Sequence, residues 1–231
     1  MWPITNQAAV RQTRAPVGAD EATLLIDGLG RSFGQRVVLR HLDVALEEGE
    51  RLAVCGPNGS GKTTVLRCIT GTITPTNGRI AVFGHKAGSR EARRVIGVSL
   101  SQERSFYLRL SGRENLLFAA GVRGIPRPHA VQRVAAIEEE LELSTILAQR
   151  VDRCSTGMVQ QLAFARALIG DPAVLLLDEP TRSLDTQAYD RVWAAIDARP
   201  HVTLVIATHR EDDVLRCHRR LDLDVLEPDR D

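Results

Sequence analysis

The sequence has no long apolar segment. Among its 231 residues the longest uninterrupted apolar runs, such as residues 116–122 and 173–177, are far shorter than the roughly 20 residues of a membrane-spanning helix. The first 22 residues lack the apolar stretch that is typical of a secretion signal. We therefore predict a chain without a transmembrane segment that resides inside the cell.

The sequence also has few cysteines, few lysines and a net charge close to zero. No CxxC or other metal-like spacing joins the four cysteines, which we expect to be reduced thiols: Cys55, Cys68, Cys154 and Cys217. The net charge of +1 gives no support to nucleic-acid binding or to attraction by anionic lipid. Lysine occurs only at positions 62 and 86 among 30 basic residues. A lysine at position 62 therefore indicates that this position requires lysine and not arginine.

What the chain does contain is an ordinary globular composition with alternating strand and helix patterns. Residues 1–20 have no periodicity and are expected to form a flexible lead-in, followed by a single domain at 21–231. Strand patterns occupy 23–29, 37–46, 51–55, 79–84, 173–180 and 202–208, and helical patterns occupy 131–146, 156–169 and 186–198. This order predicts an α/β fold with a helical subdomain at about 103–160.

A glycine-rich segment follows the predicted strand 51–55. Residues 56–63 read GPNGSGKT and fit G-x-x-x-x-G-K-[ST] without a mismatch. Such glycines let several backbone N–H groups point at one anion, and a helix that starts near Lys62 adds its positive end. Lys62 can reach the β- and γ-phosphates, and Thr63 can bind Mg²⁺. The motif alone predicts a nucleoside triphosphate or another phosphate ligand.

Two carboxylates follow a predicted buried strand. The apolar residues 174–177 lead into Asp178 and Glu179. Asp178 suits an outer hold on Mg²⁺, and Glu179 suits polarising an attacking water. An acidic turn after a strand is also a common structural feature, so this pair alone leaves both interpretations open.

A third segment distinguishes between families of phosphate-binding proteins. Residues 154–168 read CSTGMVQQLAFARAL, and residues 180–185 read PTRSLD. The predicted strand 202–208 precedes His209, and Gln102 lies between the glycine-rich loop and Ser155. From about residue 23 to about residue 213, this order resembles the ATP-binding subunit of an ABC transporter. The resemblance implies a P-loop NTPase core of the ABC ATPase type, with an antiparallel β subdomain and a helical subdomain.

The resemblance also implies roles for individual residues. Glu179 resembles the catalytic carboxylate, His209 the switch histidine, and Gln102 the Q-loop glutamine. Mg²⁺ would be held by Thr63, Gln102 and Asp178. The residues expected to bind ATP are Phe33, which would stack on adenine, and Gly56, Pro57, Asn58, Gly59, Ser60, Gly61, Lys62, Thr63, Thr64, Ser155, Gly157, Asp178 and Asp185. For Phe33 an aromatic at the edge of the core remains an alternative.

The signature segment, residues 154–158, departs from the usual Leu-Ser-Gly-Gly-Gln. Ser155 and Gly157 are kept, and in this family they contact the γ-phosphate of ATP held by a partner subunit. Met158 replaces glutamine and Gln161 replaces the usual arginine. A Ser-x-Gly-Met pattern is familiar in the branch that exports drugs, lipids and polysaccharides.

The implied function is ATP binding and hydrolysis that powers a separate membrane permease, which is expected to be an exporter. The implied partners are that permease and a second ATPase subunit, identical or different, with the chain peripheral at the cytoplasmic face of the membrane. Residues 106–108 form a short apolar run that could dock the permease, or could simply pack inside the helical subdomain. Two alternatives remain: a soluble ABC-type ATPase acting on nucleic acid or ribosomes, and a P-loop kinase for small molecules.

Overall fold

A computed structural model describes residues 10–11, 22–100 and 106–225. Among these residues strands and helices alternate along the chain. The strands are β1 (Val10–Arg11), β2 (Leu24–Phe33), β3 (Arg36–Leu39), β4 (Val44–Leu46), β5 (Arg51–Cys55), β6 (Asn77–Val82), β7 (His85–Lys86), β8 (Ile96–Ser99), β9 (Val174–Asp178), β10 (Thr203–Ala207) and β11 (Arg219–Asp222). The helices are α1 (Lys62–Ile69), α2 (Arg90–Val95), α3 (Gly112–Val122), α4 (Arg127–Glu140), α5 (Ser144–Ala148), α6 (Thr156–Leu168), α7 (Thr186–Asp197) and α8 (Glu211–Leu215), with a 3₁₀ turn at Val151–Arg153.

The chain divides into two compact units. The first unit is built from residues 1–93 and 205–231, and the second from residues 94–204. The helical segment expected at 103–160 therefore belongs to the second unit. Most of the expected lead-in, residues 1–20, lies outside the described residues. None of the helices described is long and apolar enough to cross a membrane.

The first unit contains an antiparallel sheet and a parallel strand pair. In the antiparallel sheet β2 pairs with β3, β4 and β6, and β6 pairs with β7. The parallel pair is β5 with β11, and β1 runs antiparallel to β11. Four of the five residues of β5 are buried, as expected of a strand covered on both faces. The antiparallel sheet agrees with the predicted β subdomain.

The predicted strand 37–46 is wrong as one element, because it forms β3 and β4. These strands pair with opposite ends of β2. Between those ends Gly28 adopts a φ of +63°, and its N–H donates to the Asp43 carboxylate at 2.6 Å. That hydrogen bond lowers the pKa of Asp43, and it fixes the irregular connection between the two strands.

The second unit combines helices with the parallel pair β8 and β9. Its core contains the fully buried side chains of Trp193, Phe164 and Leu116. The single helix predicted at 131–146 is instead α4 and α5, because Glu142 between them has a φ of +53° and interrupts the helical path. The predicted helices at 156–169 and 186–198 are confirmed as α6 and α7. The predicted strand 173–180 forms β9 but ends at Asp178, because Glu179 has a φ of +51°.

Candidate functional site

The glycine-rich loop of the first unit joins β5 to α1. Gly56, Gly59 and Gly61 have φ values of +142°, +84° and +102°, which L side chains rarely adopt. A Cβ on Gly56 would lie 2.3 Å from the carbonyl oxygen of Leu223. The loop therefore needs glycine at these positions, of which the motif specifies Gly56 and Gly61.

Lys62 turns its ammonium group back over this loop. Its Nζ donates to the carbonyl oxygens of Gly56 at 2.7 Å and Pro57 at 3.1 Å, and the residue is only 9% exposed. Lys62 is also the first residue of α1. The positive charge is therefore placed where the loop and the helix N-terminus meet.

The loop fits a phosphate ligand. The Ser60 hydroxyl is buried and has no hydrogen-bond partner among the described residues. The N-cap residue of α1 is Gly61, which provides no side-chain cap, and no acidic residue occupies the first turn. Uncapped N–H groups and a buried hydroxyl require acceptors, which phosphate oxygens supply.

Magnesium has a less complete set of protein donors. Thr63 follows Lys62 in α1 and Asp178 ends β9, whereas Gln102 lies outside the described residues. Within the described parts of the chain, no group of three His, Cys, Asp or Glu side chains could hold a metal ion. A threonine hydroxyl such as that of Thr63 suits Mg²⁺, which commonly uses one or two protein ligands together with substrate phosphates and water.

The β2–β3 hairpin lies against the glycine-rich loop. A Cβ on Gly61 would be 3.0 Å from the side chains of Val38 and Leu39, and one on Gly59 would be 3.8 Å from Nη2 of Arg36. Phe33, at the tip of this hairpin, is 45% exposed, and the Arg31 guanidinium carbon lies 4.3 Å from its ring centroid. An exposed aromatic thus stands on an element that contacts the loop.

His209 follows β10 in the first unit. The backbone N–H of the preceding Thr208 donates to the Val54 carbonyl at 3.2 Å, which places this segment beside β5. The Thr208 hydroxyl donates to the fully buried carboxylate of Asp213 at 2.8 Å, and the N–H of Arg210 donates to the same hydroxyl at 3.1 Å. His209 is therefore held between two anchored neighbours.

Asp178 and Glu179 end β9 in the second unit. Asp178 is buried at 2% exposure, whereas Glu179 is half-buried and has a φ of +51°. A left-handed conformation at a residue other than glycine costs about 1–3 kcal/mol and persists only when neighbours enforce it. Here the side-chain Nε2 of Gln160 donates to the Glu179 carbonyl at 3.0 Å, and the backbone N–H of Arg182 donates to it at 3.3 Å.

The signature segment leads into α6 in the same unit. Ser155 is the exposed N-cap residue of α6, as predicted, and its hydroxyl accepts from the N–H of Met158 at 3.3 Å. A Cβ on Gly157 would lie 2.5 Å from the carbonyl oxygen of Ser183. Asp185, two residues further on, caps α7 by accepting from the N–H of Ala188 at 2.8 Å. The start of α6 and the turn before α7 are therefore in direct contact.

Met158 takes part in the cap of α6. Its sulfur accepts from the backbone N–H of Ser155 and from Nε2 of Gln149, both at 3.5 Å. A thioether is a weak acceptor, but it occupies the place that glutamine or glutamate takes in a capping box. The departure at position 158 thus keeps the helix start.

A groove lined mainly by apolar side chains, together with Asn115, Arg123 and Arg166, lies on the second unit beside residues 106–108. Tyr107 and Leu108 are 52% and 58% exposed, and the Tyr107 ring meets the half-exposed Phe118 edge-on with 4.7 Å between centroids. The buried Asn115 amide accepts from the N–H of Tyr107 and donates to its carbonyl, at 2.8 and 3.1 Å. The run is therefore presented at the surface by a polar anchor.

Sequence reasoning missed four contributors to these arrangements. Arg36, Gln160 and Ser183 lie against predicted site residues, and Asn115 anchors the exposed aromatic run. Gln160 and Ser183 fall inside residues 154–168 and 180–185, but their contacts join segments that are distant in sequence, so no local pattern identifies them.

Comparison with known proteins identifies related chains. The sequence model of the ABC transporter family matches residues 39–182. The chain is 32% identical over 195 residues to the probable multidrug ABC transporter ATP-binding protein YbhF of Escherichia coli (strain K12), covering 83% of this chain and 34% of that protein. It is 34% identical over 204 residues to the Nod factor export ATP-binding protein I of Rhizobium sp. (strain N33), covering 84% of this chain and 65% of that protein.

These curated relatives are longer than the matched region, since the chain spans between about one third and two thirds of their length. Import ATP-binding proteins are also among the matches. The fold is shared with a solved structure, the dimeric post-hydrolysis state of the ATP-binding cassette MJ0796 bound to ADP and Pi. That likeness has a TM-score of 0.76 at 23% identity and covers 88% of this chain and 97% of the other. Neither the nucleic-acid nor the kinase alternative is favoured by these matches.

Proposed function

The chain belongs to the ABC transporter family, and we propose that it is the ATP-binding and ATP-hydrolysing subunit that powers a separate membrane permease. The glycine-rich loop at 56–63 carries this proposal. Its uncapped helix start, the buried Ser60 hydroxyl and the inward ammonium of Lys62 together form a cradle for phosphate. Because the matched relatives are ATP-binding proteins, we propose that the nucleotide is ATP.

In the proposed complex the first unit binds the nucleotide. The loop N–H groups and Lys62 hold the phosphates, and the exposed ring of Phe33 stacks on adenine from the hairpin that contacts the loop. Arg36, close to Gly59, adds a positive charge on the same hairpin. Thr64 continues α1 beyond Thr63 and completes the nucleotide set.

Hydrolysis is assigned to Glu179, His209 and Gln102. Glu179 orients and polarises the attacking water, and His209 contacts the γ-phosphate. Thr63, Asp178 and Gln102 would hold Mg²⁺, which would neutralise the charge that develops on the phosphates. The left-handed turn at Glu179 supports a functional role, because enforced backbone strain is concentrated at active sites.

A second ATPase subunit completes the site in this proposal. Ser155 is exposed at the start of α6, so its hydroxyl and the first N–H groups of the helix are accessible to a phosphate presented by a partner. Asp185 lies in the turn that contacts this helix start. We infer that two chains, identical or different, form two shared sites.

We propose that the permease binds at the groove beside Tyr107 and Phe118. Exposed aromatic side chains held by a buried amide form an apolar surface of the kind that marks protein contacts. We place the chain at the cytoplasmic face of the membrane, bound through the permease. The Ser-x-Gly-Met signature and the export name of one relative support export over import, with no nucleic acid as partner.

The test compares the two lysines of the chain. Lys62→Ala should abolish ATP hydrolysis and weaken ATP binding by about tenfold or more, because it removes the charge at the β- and γ-phosphates. Lys86→Ala, in the exposed strand β7, is the matched control and should retain both. Because Lys62 is buried, thermal unfolding is recorded for each variant. A folded Lys62→Ala chain with the wild-type turnover would refute the proposed function.

A further inference from the structure

Gln160 links α6, the helix that the signature segment begins and that we call the signature helix, to Glu179, the residue that follows β9. It lies one turn into α6, and its Nε2 donates to the Glu179 carbonyl at 3.0 Å. Because the N–H of Arg182 donates to the same oxygen at 3.3 Å, two donors fix the peptide that follows Glu179.

The orientation of this peptide matters because Glu179 has a left-handed backbone. Its φ of +51° directs the side chain differently from the extended residues of β9, and relaxation to negative φ would swing the carboxylate away. A hydrogen bond to its carbonyl resists that relaxation by fixing the other backbone angle, ψ. The donor on α6 therefore helps to hold the direction in which the Glu179 side chain leaves the chain.

The same two segments touch at a second point. Gly157, three residues before Gln160, packs against the Ser183 carbonyl, so the first turn of α6 rests on the turn that Glu179 begins. This contact sets the distance across which the Gln160 amide reaches. A displacement of α6 would stretch the hydrogen bond and release the carbonyl.

We propose that Gln160 is a positioning residue for the carboxylate of Glu179, so that the signature helix controls the orientation of the group that activates water. The inference rests on the proposed function. It predicts that ATP binding through the glycine-rich loop is independent of Gln160, whereas the turnover step depends on it.

The experiment replaces the donor and then restores it. Gln160→Met keeps the length of the side chain without a donor, and Gln160→Lys supplies a new N–H donor. The control is Gln132→Met, on the exposed face of α4. Purified chains are compared for kcat and KM with ATP and Mg²⁺, for ATP affinity and for thermal unfolding. We expect Gln160→Met to lower kcat by about tenfold with KM within about twofold of wild type, and Gln160→Lys and Gln132→Met to stay within about threefold in kcat.

A double variant separates positioning from general destabilisation. In a Glu179→Gln background, Gln160→Met should cause no further loss, because its effect passes through the missing carboxylate. The proposal would be overturned by wild-type turnover of Gln160→Met, by equal losses in the Met and Lys variants, or by the same fractional loss in the Glu179→Gln background. A wild-type chain that binds ATP without hydrolysing it would instead refute the proposed function itself.

Discussion

The Cα atom of Gly157 packs so closely against the carbonyl oxygen of Ser183 that a Cβ at position 157 would lie 2.5 Å from that oxygen. Sequence reasoning assigned this glycine to close approach by the phosphate of a partner subunit. The structure adds a requirement within the chain itself, because any side chain must displace the turn between Glu179 and Asp185. A large substitution such as Gly157→Asp would therefore combine two effects.

Gly157→Ala isolates the contact within the chain. We expect the free energy of unfolding to fall by about 1–3 kcal/mol, since the new methyl group must push backbone aside. The control is Gly121→Ala in α3, where nothing lies within 4 Å of the added Cβ, and there we expect a gain of up to about 1 kcal/mol. Urea unfolding of both variants checks this. Unchanged stability of Gly157→Ala would mean that the Ser183 turn yields freely.

Glu179→Gln should bind ATP with wild-type affinity and hydrolyse it very slowly. The amide keeps the size of the side chain but cannot act as the base that orients water. With ATP and Mg²⁺ the variant should accumulate as a dimer, because the shared site is not cleared by hydrolysis. Size-exclusion chromatography with and without ATP measures this, and a chain that remains monomeric both alone and with its permease would contradict the two-subunit site.

Tyr107→Ala should reduce transport in a reconstituted complex while the ATPase rate of the isolated chain stays unchanged. The ring is half exposed and edge-on to Phe118, so its loss changes the groove more than the core. Leu215→Ala serves as the control, because Leu215 is an apolar residue of the first unit that is even more exposed, at 76%. If Tyr107→Ala instead lowered the unfolding temperature by several degrees and lost all activity, ordinary packing would explain the aromatic run.

The cysteines should differ in their reactivity towards iodoacetamide. Burial raises the pKa of Cys68 to about 11 and that of Cys217 to about 12, so both remain protonated at pH 8. Burial also raises the pKa of Cys154, which lies partly exposed beside the signature segment. We expect Cys154 to react about tenfold faster than Cys68 or Cys217, and faster still as the pH rises, because its thiolate fraction grows.

Peptide mass spectrometry resolves the sites, and denaturant provides the control, since all four thiols should then react at similar rates. Modification of Cys68 before Cys154 in the folded chain would contradict the burial described for these residues.

Local patterns predicted the elements whose ends carry strong signals. Strand 51–55 is β5 to the residue, because a short apolar run is bounded by a polar turn and a glycine. Ser155 and Asp185 cap α6 and α7, where side-chain oxygens accept from free N–H groups. The helix break at Glu142 was missed because no glycine or proline marks this left-handed residue.

The motifs of the candidate site were readable, whereas its supporting contacts were not. Order and spacing placed Lys62, Asp178 and Ser155 in known kinds of segment. The bond from Gln160 to Glu179 spans 19 residues of sequence and depends on how α6 lies on the following turn. Contacts of this type come from tertiary packing, and periodicity within either segment carries no information about them.

The close packing of Gly56 on Leu223 has a consequence for the order of events during synthesis. Gly56, the first residue of the glycine-rich loop, packs against the Leu223 carbonyl, which lies near the end of the described chain. The preceding strand β5 has β11 as its parallel neighbour. A growing chain that has passed residue 63 already contains the whole loop sequence. The loop cannot adopt its folded conformation, however, until residues 219–223 have been synthesised. The ability to bind nucleotide should therefore arise late, after the second unit has left the ribosome. An incomplete chain should then not bind ATP.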